Sequence, residues 1–283
     1  MKVADINNRT IIERNFFNIL RYGAFGTHSL IEPMSSFKWK RLLQMVEVQG
    51  VVQTFVSGIN KYLSEDKVFL PKEIRTIISK KMKQASISPL INIPKENIRL
   101  SNTFLNYRLQ NIIKNELHSI DTSVETIDLL KIIIANSKSM LNCGMTLEGI
   151  INLGKYLRTQ GKGDRIDFVK LEKWLSYIFL QSMAQLQGNI LISVFDFEQD
   201  EIPFVREYKI KAYKLTMKSI SDLAKDTAQD WHFRQNSFGF VQNNNAILRR
   251  NLRRSFRYIK YFPAETISNF MSNITKSLKE IEE

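Results

Sequence analysis

Arg249, Arg253, Arg257 and Lys260 follow one another at intervals of four, four and three residues, the spacing that brings side chains to one side of an α-helix. Arg250 and Arg254 widen that stripe. A helix so decorated offers forked guanidinium donors to phosphates or carboxylates. The interleaved Tyr258 and Tyr261 have flat faces on which bases or sugar rings can stack. Leu248, Leu252, Phe256 and Ile259 are expected to form the opposite, buried stripe. Two uses fit this pattern. The face from Arg249 to Lys260 either binds nucleic acid or another polyanion, or it is solvated or paired within the protein against the acidic stretch around Glu198 and Glu201. Lys80, Lys81 and Lys83 form a second, weaker basic face.

Other chemistry-bearing residues are sparse. Asp196, Glu198, Asp200 and Glu201 crowd one predicted loop, but the glycine and the spacing of a calcium loop are missing. The expectation there is a solvated acidic loop and no metal site. The three histidines are His28, His118 and His232. General acid–base chemistry needs a base close to its partner in space. His118, near Asp121 and Glu125 at a predicted helix end, suits a capping or surface role over a carboxylate pair, and His232 a packing role over a place in a binding loop. No G-x-S-x-G elbow is present. GKGD from Gly161 to Asp164 lacks the spacing of a phosphate loop and reads as a turn. Cys143 is the single cysteine, which excludes an intrachain disulfide and a multi-cysteine zinc site. It is expected to fill apolar space. No catalytic residue and no cofactor is implied.

The elements that would carry these residues are helices. Eleven glycines and six prolines in 283 residues are few for a β-rich fold, and 43% hydrophobic residues suffice for a core. Apolar positions recur at helical spacing in segments near residues 10–24, 36–49, 71–84, 101–117, 122–143, 146–160, 167–195 and 203–228. Gly23 and Gly26 are read as ending the first of these. Ser36 is read as the cap of the second, and Thr122 with Glu125 as a capping box. The segment from Val51 to Leu63 is β-branched enough for a strand, but its neighbours argue for helix. The expected fold is an all-α, irregular multi-helix bundle without substantial sheet. Its core stripes are anchored by Phe16, Trp39, Leu109, Leu130, Leu153, Trp174 and Leu215. The proline-containing stretch SISPLINIPKENIRL suggests a division into residues 1–90 and 91–283, the latter with basic C-terminal helices.

The formal net charge of +13, with a pI near 9.7, attracts polyanions. No apolar run reaches the ~20 residues that span a bilayer, and the N-terminal residues have no hydrophobic leader. A cytoplasmic location follows as the expectation.

Three segments together resemble a known family. NFFNILRYGAFG followed by FKWKRLLQMVEVQGVVQTFVSGI, then NCGMTLEGIINLGKYLRTQGKGDRIDFVKLEKWL, and finally FEQDEIPF with NSFGF and LRRNLRRSFRYIKYFPAE, are similar in type and order to the N- and C-terminal helical parts of the bacterial uncharacterised nucleotidyltransferase family. In that family a small mixed α/β palm lies between such helices, with a Gly-rich turn and an Asp-x-Asp pair for two divalent metals. Here the interval between Ile59 and Cys143 contains no Asp-x-Asp and reads as helix. The resemblance therefore implies a palm-less relative that keeps the helical shell, and no catalytic residue carries over. The function expected is macromolecular binding by a non-catalytic protein. Its partner would be another protein, or a nucleic acid or other polyanion met by Arg249, Arg250, Arg253, Arg254, Arg257 and Lys260. A nucleotidyltransferase-like enzyme with an unrecognised site is the remaining alternative. The oligomeric state is left open.

Overall fold

The computed structural model describes residues 10–84, 91–94, 98–119, 121–161, 165–206, 212–220, 252, 253 and 255–282. The protein is all-α, with no strand among the described residues. It forms two compact units, Met1–Leu90 and Ile91–Glu283.

The first unit contains α1 (Ile11–Phe25), α2 (Ser36–Val48), α3 (Val52–Ser64) and α4 (Lys72–Gln84). A capping box starts α1: Glu13 N–H donates to Thr10 Oγ1, and Thr10 N–H donates to Glu13 Oε2 at 3.0 Å. Phe16, Phe17, Ile19 and Leu20 bury its inner face. Gly23 does not end this helix. It lies inside α1 and meets Gly58 of α3, where a Cβ on Gly23 would lie 2.0 Å from the Thr54 carbonyl oxygen. Two hydrogen atoms in place of side chains let the backbones touch, and this close approach positions the loop that follows. Gly26 takes over the terminating role with φ +74°. Ser35 caps α2, one residue earlier than expected, by accepting from Lys38 N–H. Val51 to Leu63 is indeed helical, because Phe55, Ile59 and Tyr62 fall on one buried side at spacings of four and three.

The second unit is built around α6 (Val124–Asn142), which α7 (Leu147–Gln160), α8 (Phe168–Tyr177), α9 (Gln181–Phe195) and α10 (Pro263–Glu282) all touch. Eleven buried residues on α6 account for its central place. One polar knot sits in this core. Asn136 Nδ2 donates to the Gly149 carbonyl at 3.0 Å and to Gln187 Oε1 at 3.1 Å, and Gln187 Nε2 donates to the Ile133 carbonyl and Ser137 Oγ at 3.0 Å each. α5 (Thr103–Leu117) begins at Asn102, whose side chain accepts from Leu105 N–H. Its preceding amides of Ser101 and Asn102 donate to the buried Glu265 carboxylate of α10 at 2.7 and 2.9 Å. Burial pushes the Glu265 carboxyl above the usual range, against the pull of those amides.

Several expectations need correction. The capping box at Thr122 and Glu125 does not form: Thr122 Oγ1 donates to the carbonyls of Glu116 and Ser119, and α6 starts after Ser123. Trp174 and Leu215 are only half-buried, whereas Phe16, Trp39, Leu109, Leu130 and Leu153 lie in the cores of their units. Cys143, expected to fill apolar space, is exposed at the end of α6. Pro203 and Phe204 form a turn, residues 212–220 are helical, and 207–211 and 221–228 of the expected helix lie outside the described residues.

The expected long helix over 167–195 breaks in two at Ile178 to Leu180. Phe179 N–H bonds the Ser176 carbonyl at 3.1 Å and Leu180 N–H reaches back to the Leu175 carbonyl at 2.8 Å. This is a Schellman stop, whose left-handed position is ordinarily glycine. Here it is Phe179, at φ +55°, which costs about 1–2 kcal/mol. No helix among the described residues is long and apolar enough to cross a membrane.

Candidate polyanion-binding site

Of the six cationic residues expected to form the site, Arg249, Arg250 and Arg254 lie outside the described residues, as do Leu248 and His232. Arg253 and Lys260 are exposed, and Arg257 is half-buried. The faces of this segment are turned from the expected arrangement. Tyr258, expected to stack on a ligand, is fully buried, and its hydroxyl shares a hydrogen bond with Ser219 Oγ at 3.2 Å. Arg257 Nη1 donates to the same Ser219 oxygen at 3.1 Å. Phe256, expected inside, is 69% exposed, and Leu252 is exposed too. Helix geometry explains this. Phe256 follows Arg253 by three residues, about 300° of rotation, so the two stand about 60° apart on one side. The opposite side belongs to Tyr258, and the buried Phe262 continues the anchor four residues on.

Lys260 and Tyr261 line a cleft of about 300 Å³ with Ser182, Gln185, Leu186 and Asn189 of α9 and with Ala212. The four α9 residues stand at spacings of three, one and three, which is one side of that helix. Asn189 is held by its own helix, donating to the Gln185 carbonyl at 2.8 Å. The Lys260 ammonium lies 5.4 Å from the Tyr261 ring centre. Burial pushes the Tyr261 phenol up, so it stays a neutral donor at physiological pH. The described lining residues thus offer hydroxyl, amide and ammonium groups and no carboxylate among them, a set suited to an anionic or hydroxyl-bearing ligand. No motif in the sequence marks it, because the α9 residues and Lys260 lie far apart along the chain.

The acidic stretch does not face these cations in any ion pair among those described. Glu201 forms a two-pronged pair with Arg158 of α7, at 2.8 and 3.2 Å, and accepts from Glu198 N–H at 2.8 Å. Asp196 caps α9 in the left-handed conformation. Among the described residues no three His, Cys, Asp or Glu side chains converge to hold a metal. His118 caps the end of α5. In the first unit His28 stands edge-on to Tyr22, beside Tyr62, with Nε2 3.8 Å from Glu65. Lys67, at 2.8 Å, and the Tyr22 hydroxyl both bond Glu65 and hold its carboxyl below the usual range. Lys81 of the second basic face pairs with Glu47, Lys80 is exposed, and the Lys83 side chain lies outside the described residues.

No family model matches the chain, and no similar protein was found among curated proteins or solved structures.

Proposed function

We propose that this protein is a non-catalytic helical binder of an anionic macromolecule, with nucleic acid as the leading ligand and the Arg249 to Lys260 segment as the contact. The observation that carries the reading is where the charges go. Among the described residues Glu32 pairs with Arg14, Glu116 with Lys170 and Glu201 with Arg158, each taking one cation with it, and Glu265 accepts from backbone amides, so the net positive charge is not offset by these carboxylates. The chain carries a net +13, Arg253 and Lys260 are exposed, and Lys260 borders a cleft whose described lining residues include no carboxylate. The helices in the interval from Ile59 to Cys143, where the resembled nucleotidyltransferases carry their palm, support binding over catalysis.

Titration of the full chain with heparin and with mixed-sequence nucleic acid, over a range of ionic strength, tests this. Counterion release makes the logarithm of affinity fall linearly with that of salt, by about a thousandfold or more between about 50 and 200 mM for six or more phosphate contacts. Lys260→Glu and Arg253→Glu should each weaken binding and reduce the slope by about one. Absence of binding at low salt, or an affinity indifferent to salt, refutes the proposal.

A further inference from the structure

A second surface of the Ile91–Glu283 unit carries aromatic rings around one guanidinium. The Cζ of Arg108 lies 4.2 Å from the ring centre of Phe104, 4.5 Å from that of Tyr177 and 5.3 Å from that of Phe179. Its Nη1 donates to the Tyr177 carbonyl at 2.7 Å. A guanidinium fixed by a backbone acceptor and by three rings cannot swing away, so it holds the rings in place as they hold it. The rings stay largely in solvent: Phe104 is 56% exposed, Tyr177 47% and Phe179 57%, and Tyr107, one turn on from Phe104, is 65% exposed.

Two features mark this cluster as more than stray surface apolarity. The first is Phe179 itself. A helix stop of this geometry is cheapest with glycine, and a benzyl side chain there gains little burial in return. The second is charge. The charged residues among the exposed positions of α5 and α8 are Lys114, two helical turns on from Tyr107, and Lys173, one turn before Tyr177. Glu116 of α5 is buried against Lys170, and Glu172 of α8 pairs with Arg206 at 2.8 Å. A protein partner would be chosen by a surface of either sign. A ring platform whose exposed charged neighbours on α5 and α8 are both cations fits a ligand that has flat faces and negative charge in every repeat unit.

We infer that the Phe104, Tyr107, Tyr177 and Phe179 platform, ordered by Arg108, stacks the unpaired bases of single-stranded nucleic acid while Lys114 and Lys173 meet its phosphates. The inference rests on the polyanion-binding reading above and narrows its ligand to a strand with exposed bases. A duplex hides its base faces and gains only the phosphate term.

The test is fluorescence anisotropy of a labelled oligothymidylate on the full chain, with a duplex of equal length and heparin as comparators. Wild type should prefer the single strand over the duplex by about tenfold or more, and Tyr177→Ala and Phe104→Ala should each lose about tenfold for the strand with heparin affinity unchanged. Phe179→Gly is the sharpest variant, because glycine suits the left-handed position. It should unfold at the same or a higher temperature and still lose strand affinity, which a purely structural ring would not do. Equal binding of strand and duplex, or platform variants that bind the strand like wild type, overturns the inference and leaves polyanion binding standing. Failure of heparin and oligothymidylate alike overturns both.

Discussion

A Cβ on Gly58 would sit 2.1 Å from the Ile19 carbonyl oxygen and 3.1 Å from the Gly23 nitrogen, both of them backbone atoms of α1. Backbone cannot rotate aside as a side chain can, so the whole α1–α3 packing would have to open. Gly58→Ala is expected to cost about 3 kcal/mol or more, at the upper end of overpacking effects. Ser57→Ala, at the exposed neighbour, should stay within about 0.5 kcal/mol. Urea denaturation followed by circular dichroism separates the two. The Arg14–Glu32 pair makes a second prediction at this scale. Arg14 reaches both Glu32 oxygens, at 2.6 and 2.8 Å, and holds that carboxyl below its ordinary value of 4.5. A lowered carboxylate pKa contributes stability above about pH 4.5 that is lost as the pH falls through the lowered value. In Arg14→Met this contribution is missing at pH 7, so the melting curves of variant and wild type should converge between pH 5 and pH 3. Parallel curves over that range would mean the pair adds nothing. Residue identity alone announced neither feature. A glycine in a helical pattern reads as a terminator because it costs about 1 kcal/mol there, and only the facing backbone of another helix reveals why Gly23 is worth that cost.

Individual helices were legible from the sequence wherever one side is apolar at a regular spacing, as at Trp39, Leu42, Leu43 and Val46 or at Ile127, Leu130 and Ile134. Their ends were less so. Thr122 loses its capping role because Glu116 is close enough to take Ser123 N–H at 2.9 Å, and proximity of that kind belongs to the fold. The basic segment departs from expectation for a different reason: Phe256 stands on the arginine side, and Tyr258, the polar-tipped ring, is the anchor. The join of α10 to α5 spans more than 160 positions in sequence, and nothing in PAETISNF signals it beyond a glutamate in a first turn. Glu265→Ala would leave the part-buried amides of Ser101 and Asn102 without their acceptor, a loss of about 1–3 kcal/mol, while Glu265→Gln keeps one acceptor oxygen and should lose less. Equilibrium unfolding of the two variants orders them; an alanine variant as stable as wild type would show that water replaces the carboxylate.

The all-α class of the whole chain followed from few glycines, few prolines and helical periodicity, since each requirement of a β fold was missing together. The candidate cleft and the aromatic platform were not legible, because each gathers residues from helices far apart in sequence: Ser182 with Lys260, and Phe104 with Phe179. What the sequence does impose on the entire molecule is its charge. Forty-one basic against 28 acidic side chains repel one another in the folded state more than in the expanded chain. Salt screens that repulsion over a distance of about 10 Å at 0.1 M. It also weakens the ion pairs, but exposed pairs contribute about 0–1 kcal/mol each, and the two-pronged ones are part-buried and less screened. Repulsion should therefore dominate. Thermal unfolding at pH 7 is expected to move up by about 2–4 °C between about 20 and 300 mM sodium chloride, the shift that follows from about 1 kcal/mol in a chain of this size. A bound polyanion should replace the salt, raising the midpoint at 20 mM far more than at 300 mM. A midpoint that falls with salt would mean that internal pairing outweighs the surplus, and that the cationic surface is already satisfied from within.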